Sequence, residues 1–546
     1  MRKPLLLVLT TLATASSFAA SADPVTFSAA RVRAHVEFLA DDLLEGRDTG
    51  SRGHEIAARY VASQFESFGL KPGGENGGWF QQVTLQKTVR GANRGKVTLK
   101  GPAGETTFEH AHDVLVYLSA TDPTIDETAP LVFVGYGIED AKLGINDYRG
   151  LDVKGKIIVA LRGFPKGLPS EEGAHVAATK AKAAQSHGAI GLVSIGTLQS
   201  EKAQPWERVL QYADDPGYTW VGADGVPFQE APRIRSGAAL HGPAAEAVFA
   251  GSARSLADVR KEADQPKGMP RGFALKTTIR IQGESASSRV TSPNVIGILP
   301  GNDPKLATEY VVLSAHLDHL GVKVSNDDKD GDRIYNGALD NAAGIATMLE
   351  VARAAAAAPD KPRRSMLFLA STGEEKGLLG ADFYARHPTV PIAQIVGNVD
   401  LDMPLLLYAF NDVIAFGANH SSIGAQVAKA VEPMHIKLSP DPFPEQGVFT
   451  RSDHYMFVKQ GVPAVFLATG FGNGGDKIWG EFLQGNYHSV HDDLKQPIDW
   501  ESGARFAEVN YRITRGMADS DAPPRWIAGD FFGDTFAPKA ERAPAH

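Results

Sequence analysis

Two histidines and several acidic residues stand along the chain in an order that could bind divalent metal ions. In chain order they are His316, Asp318, Asp340, the pair Glu374 and Glu375, Asp402 and His488. Hydrolytic two-metal sites hold their ions about 3.5–4 Å apart, so one carboxylate must bridge them and the remaining ligands are nitrogen and oxygen atoms. A neighbouring carboxylate that binds no ion can then move protons for the attacking water. The set therefore predicts a hydrolytic site with two cations.

Each member of this set has a second interpretation when it is considered alone. Asp340 precedes a predicted helix, so it could be an N-cap or the carboxylate that bridges the ions. One residue of the pair Glu374–Glu375 could bind an ion while the other moves protons, although a surface Glu-Glu pair is also common. His316 could be a ligand whose second ring nitrogen is held by Asp318.

Two of the candidate ligands compete with a nearby residue of the same type. Asp400 and Asp402 are two positions apart and share one face of a predicted strand, so either could bind. His491 follows His488 by three residues and competes with it. Only the combination of these motifs, in this order, predicts a metal site.

The elements that must position these side chains alternate between strand and helix from residue 277 onward. The predicted strands are 310–315, 365–370, 394–401, 413–416 and 462–467, and the predicted helices are 341–358, 376–386 and 422–431. Such alternation predicts an α/β fold with a mostly parallel mixed sheet flanked by helices. His316, Glu374 and Asp402 lie at the carboxyl ends of three predicted strands, where α/β sheets bind their ligands.

Composition divides the rest of the chain. A Pro-, Gly- and charge-rich segment at 252–272 follows a block of short apolar strands, which predicts an inserted domain at 127–275. Residues 23–126 and 276–521 then form the two parts of the main domain. The tail 522–546 is rich in Pro and Ala, and we expect it to pack loosely.

The first residues predict export. Met1–Ala22 carries Arg2 and Lys3, an apolar run and the small residues Ala20-Ser21-Ala22, which is typical of a cleaved signal peptide. We therefore expect a periplasmic or extracellular protein with no membrane span in the mature chain. The net charge of −9 argues against nucleic acid partners. The chain has no cysteine, so its metal ligands must be His, Asp and Glu.

These motifs together resemble the co-catalytic zinc aminopeptidases of metallopeptidase family twenty-eight. The opening Leu44-Glu45-Gly46-Arg47, followed by Thr49-Gly50-Ser51, looks like the N-terminal segment of that family. Residues 130–250, with Asp152-Val153-Lys154-Gly155-Lys156-Ile157, look like a protease-associated (PA) domain. The resemblance implies a zinc-exopeptidase-like fold with a β-rich PA domain at 127–275.

The resemblance also implies a role for each candidate residue. One zinc ion would be held by His316, Asp340 and Asp402, and the other by Asp340, Glu375 and His488; Co²⁺ or Mn²⁺ could replace them. Glu374 would be the general base and Asp318 would orient His316. Tyr487 would either stabilise the oxyanion or be an ordinary packed tyrosine. A cis peptide is expected at Asp340–Asn341.

The function that follows is an exported zinc aminopeptidase acting on peptides with a free N-terminus. One alternative is a carboxypeptidase or another zinc amidohydrolase, which would need arginines that grip a substrate carboxylate. Another is a binding protein on the same fold, comparable to the transferrin receptors. That alternative predicts lost ligands, and none of the predicted ligands is missing from the sequence.

Overall fold

The computed structural model describes residues 25–323 and 331–545. The predicted signal peptide Met1–Ala22 lies outside this part. Within it, no helix combines the length and the apolar character that are needed to cross a membrane.

The helices and strands are defined as follows. The helices are α1 (Ala29–Leu39), α2 (Arg52–Ser67), α3 (Ser170–Ala178), α4 (Lys180–Ser186), α5 (Leu198–Ala203), α6 (Trp206–Leu210), α7 (Gly242–Val248), α8 (Leu256–Ala263), α9 (Ala343–Ala357), α10 (Leu379–Arg386), α11 (Ile423–Val431), α12 (His454–Val458), α13 (Gly475–Gly485), α14 (Trp500–Asp519) and α15 (Phe531–Phe536). The strands are β1 (Lys71–Pro72), β2 (Phe80–Arg90), β3 (Lys96–Gly101), β4 (Gly104–Glu109), β5 (Val114–Val116), β6 (Thr124–Phe133), β7 (Glu139–Asp140), β8 (Ile145–Asn146), β9 (Ile157–Leu161), β10 (Gly191–Ile195), β11 (Gly217–Trp220), β12 (Ser236–Leu240), β13 (Phe273–Leu299), β14 (Tyr310–His316), β15 (Gly321–Val322), β16 (Ile334–Tyr335), β17 (Ser365–Ser371), β18 (Ile395–Asp400), β19 (Asp412–Phe416), β20 (Lys437–Ser439), β21 (Ala464–Thr469), β22 (Trp526–Ile527) and β23 (Arg542–Ala543). Short 3₁₀ turns occupy Asp42–Arg47, Glu75–Gly77, Ile392–Gln394, Glu432–Met434, Pro444–Gln446 and Val448–Thr450, and a π-helical turn occupies Ala338–Ala342.

The larger sheet is mixed, with a parallel centre. Its order is β11–β2–β13–β17–β14–β18–β21–β19–β20. β17, β14, β18 and β21 run parallel to one another, and β13 is antiparallel to β17. Successive residues of a strand face opposite sides of a sheet, so Val311 packs with α9 and α14 while Val312 packs with α10 and α12. Helices therefore cover both faces, which explains why the central strands are apolar almost throughout.

A second, smaller sheet surrounds its own hydrophobic core. Its order is β4–β3–β13–β6–β9–β10–β12–β5, and helices α3, α7 and α8 contribute to the core. Residues from Val97 to Ile281 line this core, a wider span than the inserted domain predicted at 127–275. The strand β13 pairs within both sheets, so residue 275, the predicted boundary, lies inside a strand.

The predicted α/β class, with a mostly parallel mixed sheet flanked by helices, is confirmed. The expectation of a loosely packed tail at 522–546 is wrong, because Trp526 and Phe532 are fully buried in the main core. Composition misled here: besides its Pro and Ala residues the tail carries the large apolar side chains of Trp526, Ile527, Phe531, Phe532 and Phe536, and these pack against other elements.

Candidate metal centre

The central parallel strands bring the predicted ligands to one edge of the sheet. His316, at the end of β14, is in register with Ser371 of β17, and Ser314 is in register with Asp400 of β18. The segments that leave these three neighbouring strands therefore start side by side. Glu374, Glu375 and Asp402 follow within a few residues, which explains why residues far apart in sequence meet.

One cluster forms around His316. Its Nε2 atom lies 3.2 Å from Oδ1 of Asp340 and 3.2 Å from Oδ1 of Asp402. His316 is almost fully buried and faces these two carboxylates. The three side chains could hold one metal ion.

A second cluster forms around His488, which comes from the loop after α13. Its Nε2 atom lies 3.3 Å from Oδ2 of Asp340 and 3.2 Å from Oε2 of Glu375. The two oxygens of Asp340 thus face different histidines. A carboxylate that bridges two ions must likewise direct one oxygen toward each ion and its histidine ligand.

These distances suit zinc ions. Zinc binds His and carboxylate atoms at about 2.0–2.2 Å, so two ligands of a tetrahedral ion lie about 3.3 Å apart. The four distances above are 3.2, 3.2, 3.3 and 3.2 Å. The donor set and its spacing therefore fit two zinc ions that share Asp340.

The turn that carries Asp340 is held by buried polar groups. The carboxylate of Asp492 accepts hydrogen bonds from the backbone N–H groups of Leu339 (3.0 Å) and Asp340 (2.9 Å). The amide of Asn341 donates to the backbone oxygen of Leu401 at 2.8 Å, which links this turn to the segment of Asp402. The cis peptide predicted at Asp340–Asn341 is present.

The competing ligand candidates are separated by the fold. Asp402 lies in the first cluster, while Asp400 accepts a hydrogen bond from the Ser314 hydroxyl at 2.6 Å. The Ser452 hydroxyl lies 2.8 Å from Oδ2 of Asp400 and 2.7 Å from Oδ2 of Asp402. Asp400 therefore supports Asp402 through this serine. His491 is exposed and outside both clusters.

Asp318 holds the site by a route that differs from the predicted one. Nδ1 of His316 lies 3.1 Å from the backbone oxygen of Asp318, so the carboxylate is not the group that orients the ring. The carboxylate instead accepts hydrogen bonds from the Thr49 hydroxyl (2.7 Å) and the backbone N–H of Glu374 (3.2 Å). The side chain of Asp318 thus positions the segment of Glu374.

Glu374 differs from the neighbouring carboxylates because it belongs to neither cluster of metal ligands. Burial raises the pKa of Glu374 well above its usual range; the carboxylates of Asp402 and Glu375 act in the same direction, and His316 opposes them. By contrast, burial raises the pKa of Asp340, but hydrogen bonds with His316 and His488 outweigh it and lower that pKa well below its usual range. The environment therefore shifts the pKa values of Glu374 and Asp340 in opposite directions.

The remaining predicted residue, Tyr487, lies beside the second cluster. Its ring stacks on His488, with centroids 3.8 Å apart and an angle of 29°. Burial raises the pKa of its hydroxyl, and the nearby carboxylates of Asp340 and Glu375 add to this effect. Tyr487 is thus a neutral group next to a candidate ligand.

Two residues at the site were absent from the predicted set. His319 is fully buried, with Nδ1 2.7 Å from Oε1 of Glu375. Arg47 is also buried and donates to the backbone oxygens of Leu39, Leu317, Asn336 and Gly337. The position of His319 directly after Asp318 was the available signal for the first, whereas nothing local indicates that Arg47 is buried.

Part of the chain that carries these residues is similar in sequence to known proteins. Residues 294–514 match the model of Peptidase family M28. Over 312 residues the chain is 25% identical to leupeptin-inactivating enzyme 1 of Streptomyces exfoliatus, which covers 54% of this chain and 62% of that enzyme. It is 24% identical over 202 residues to a vacuolar membrane protease of Yarrowia lipolytica (strain CLIB 122 / E 150), covering 35% of this chain and 19% of that protein. The chain therefore spans about a fifth of the length of such vacuolar proteases.

A solved structure has a similar fold over nearly the whole chain. The aminopeptidase from Aneurinibacillus sp. strain AM-1 matches 95% of this chain and 98% of its own, with a TM-score of 0.52 and 19% sequence identity. At that identity the likeness concerns the fold. Residues 294–514, which match the model of Peptidase family M28, are therefore the part of the chain that carries the paired histidine–carboxylate clusters.

Proposed function

We propose that the chain is an aminopeptidase that uses two zinc ions to remove N-terminal residues from peptides. The observation that carries the proposal is the pair of clusters that share Asp340, with Glu374 adjacent to both and part of neither. When bound, two such ions supply Lewis acidity toward water and toward an amide carbonyl. All five predicted ligand side chains lie in positions that suit this role.

Glu374 is the proton carrier in this proposal. Its carboxylate accepts a proton from the attacking water and delivers it to the leaving nitrogen as the C–N bond breaks. Burial raises the pKa of Glu374, which is the direction that suits a carboxylate that accepts a proton and then returns it. Tyr487, next to His488, is proposed to donate a hydrogen bond to the oxyanion.

The charges around the site favour an amine over a carboxylate as the group that is recognised. Among the described residues, three cations that act on the site groups are Arg47, Lys376 and Lys323, and each has a partner. Arg47 donates to four backbone oxygens, Lys376 lies 2.8 Å from Oδ1 of Asp48, and Lys323 lies 3.9 Å from Oδ2 of Asp215. Buried carboxylates, by contrast, are abundant. This balance disfavours a carboxypeptidase, and the solved structure of similar fold is itself an aminopeptidase.

The proposal also includes export of the chain and a role for the inserted domain. The sequence of Met1–Ala22 supports a signal peptide, and therefore a periplasmic or extracellular protein. The smaller sheet that includes residues 127–275 is proposed to be a PA domain, which would restrict or guide access to the site.

Replacing Glu374 with Gln tests the mechanism. Because Gln cannot carry the proton, we expect kcat on a peptide with a free N-terminus to fall by about 10²–10⁴-fold. Bound zinc, measured by mass spectrometry, should remain at two equivalents, since Glu374 is not a proposed ligand. Glu432→Gln, at an exposed glutamate, serves as the matched control and should leave kcat unchanged.

The same assay tests the substrate class. Peptides with a free N-terminus should be cleaved, and their N-acetylated counterparts should not. Equal cleavage of both would refute the aminopeptidase assignment while leaving the metal site intact. Full activity of Glu374→Gln, or fewer than two zinc equivalents in the unmodified chain, would refute the mechanism.

A further inference from the structure

His319 contacts the second cluster but does not follow its spacing. Its Nδ1 atom lies 2.7 Å from Oε1 of Glu375 and 3.8 Å from Oδ2 of Asp340. Glu375 therefore faces one histidine with each oxygen, since Oε2 lies 3.2 Å from His488. Each oxygen of the buried Glu375 carboxylate thus contacts an imidazole nitrogen.

The distances distinguish the two histidines. Ligands of one tetrahedral zinc ion lie about 3.3 Å apart, whereas a charge-assisted N–H···O hydrogen bond is about 2.7–2.9 Å long. The distance from His488 to Glu375 is 3.2 Å, and the distance from His319 to Glu375 is 2.7 Å. His488 thus has the spacing of a ligand and His319 that of a hydrogen-bond donor.

The surroundings hold the His319 ring in this orientation. A Cβ atom added at Gly337 would lie 2.5 Å from Cγ of His319, so the ring packs directly against this glycine. The backbone N–H of His319 donates to the backbone oxygen of Arg47 at 3.3 Å. Its Nε2 atom is buried and has no hydrogen-bond partner among the described residues, whereas its Nδ1 atom lies 2.7 Å from Oε1 of Glu375.

We propose that His319 is a positioning residue that donates its Nδ1–H to Oε1 of Glu375 and so directs Oε2 toward the ion that His488 binds. This inference rests on the two-zinc function proposed above and assigns a group outside its ligand set. A partner of this kind fixes the orientation of a ligating carboxylate, so that less order must be imposed when the ion binds. His319 stands with Asp340 and Glu375 in a group that could itself hold an ion, so direct ligation by His319 is the alternative that the test must separate. We expect the effect chiefly at the second ion, because His319 lies 2.7 Å from Glu375 and 3.8 Å from the shared Asp340.

Two substitutions of His319 distinguish a hydrogen-bond donor from a side chain that only fills space. His319→Leu keeps much of the volume but removes the donor, whereas His319→Asn places an amide N–H near the position of Nδ1. We expect His319→Leu to bind one of its two zinc ions about 10–100-fold more weakly, measured by competition with a chromophoric chelator. His319→Asn should restore that affinity to near the unmodified value. His491→Leu, at an exposed histidine of the same region, is the matched control.

The outcomes separate this inference from the proposed function. If the unmodified chain binds fewer than two zinc ions, the proposed function fails and the inference fails with it. If it binds two and His319→Leu binds both equally well, only the inference is overturned. Equal weakening of both ions, or no recovery in His319→Asn with a native circular dichroism spectrum, also overturns it, because these indicate a structural role or direct ligation.

Discussion

At the scale of single residues, neighbouring carboxylates in the centre perform different tasks. Asp402 faces His316, while Asp400 accepts a hydrogen bond from Ser314 and lies 2.8 Å from the Ser452 hydroxyl, which also contacts Asp402. In the same way, Glu375 lies 3.2 Å from Nε2 of His488, whereas Glu374 interacts with His316, Asp402 and Glu375 but belongs to neither ligand cluster. The task of each group follows from which atoms it contacts, because all of them carry the same chemistry.

The two aspartates should therefore respond differently to substitution. Asp402→Asn removes a proposed ligand, so we expect the purified chain to retain one zinc equivalent instead of two. Asp400→Asn should retain two equivalents, with one of them bound about 10–100-fold more weakly, because only the support of Asp402 is lost. Zinc content and chelator competition measure both effects. The opposite pattern would identify Asp400 as the ligand.

At the scale of elements, the metal centre depends on loops that hold one another. Arg47 donates to the backbone of the last residue of α1, of the segment after β14 and of the turn before α9. Burial lowers the pKa of Arg47 to about 10, although nearby carboxylates, Asp492 and Asp318 first, oppose this, so the guanidinium is charged at neutral pH. The buried guanidinium of Arg47 thus links three separate backbone segments of the chain.

Removing this cation should be costly. Arg47→Met removes the charged donor from four buried backbone oxygens, one of which, that of Gly337, keeps another partner, the backbone N–H of Ala342 at 3.1 Å. Each hydrogen bond to a charged group contributes about 1.5–3 kcal/mol. We expect the free energy of unfolding, measured with urea, to fall by at least about 3 kcal/mol. Arg59→Met, at an exposed arginine on α2, is the control and should change it by less than about 0.5 kcal/mol. A loss below 1 kcal/mol for Arg47→Met would contradict this assignment.

At the scale of the whole molecule, the two sheets are joined by a continuous strand and by side chains. β13 pairs within both sheets. A second junction is His420, whose Nε2 lies 2.7 Å from Glu171 of α3 and whose Nδ1 lies 2.5 Å from Asp530, just before α15. This buried histidine therefore links the smaller sheet's helix, the main domain and the C-terminal segment.

The junction should depend on pH. Burial lowers the pKa of His420, but hydrogen bonds with Asp530 and Glu171 outweigh it and raise the pKa to about 9. Because the pKa of His420 is higher in the folded chain than in the unfolded chain, its protonation stabilises the fold. This contribution to the free energy of unfolding, about 3 kcal/mol, is complete below pH 6.5 and is lost as the pH rises through 9. Urea unfolding at pH 6 and pH 10 measures this loss, which His420→Asn should lack. His435→Asn, at an exposed histidine, should behave as the unmodified chain does; a loss of the same size in His420→Asn would contradict the prediction.

The sequence by itself determined the α/β class and which side chains gather at the carboxyl ends of the central strands. This was readable because β14, β17 and β18 are apolar runs, and because a parallel arrangement places the residues that follow them together. Only the tertiary structure assigned tasks to those side chains. These tasks depend on contacts between residues that are distant in sequence. Examples are the contact of His319 with Glu375, the hydrogen bonds of Arg47 to separate backbone segments, the contact of Ser452 with Asp402 and the packing of buried Trp526. Local pattern cannot encode such contacts, because they depend on how separate segments pack.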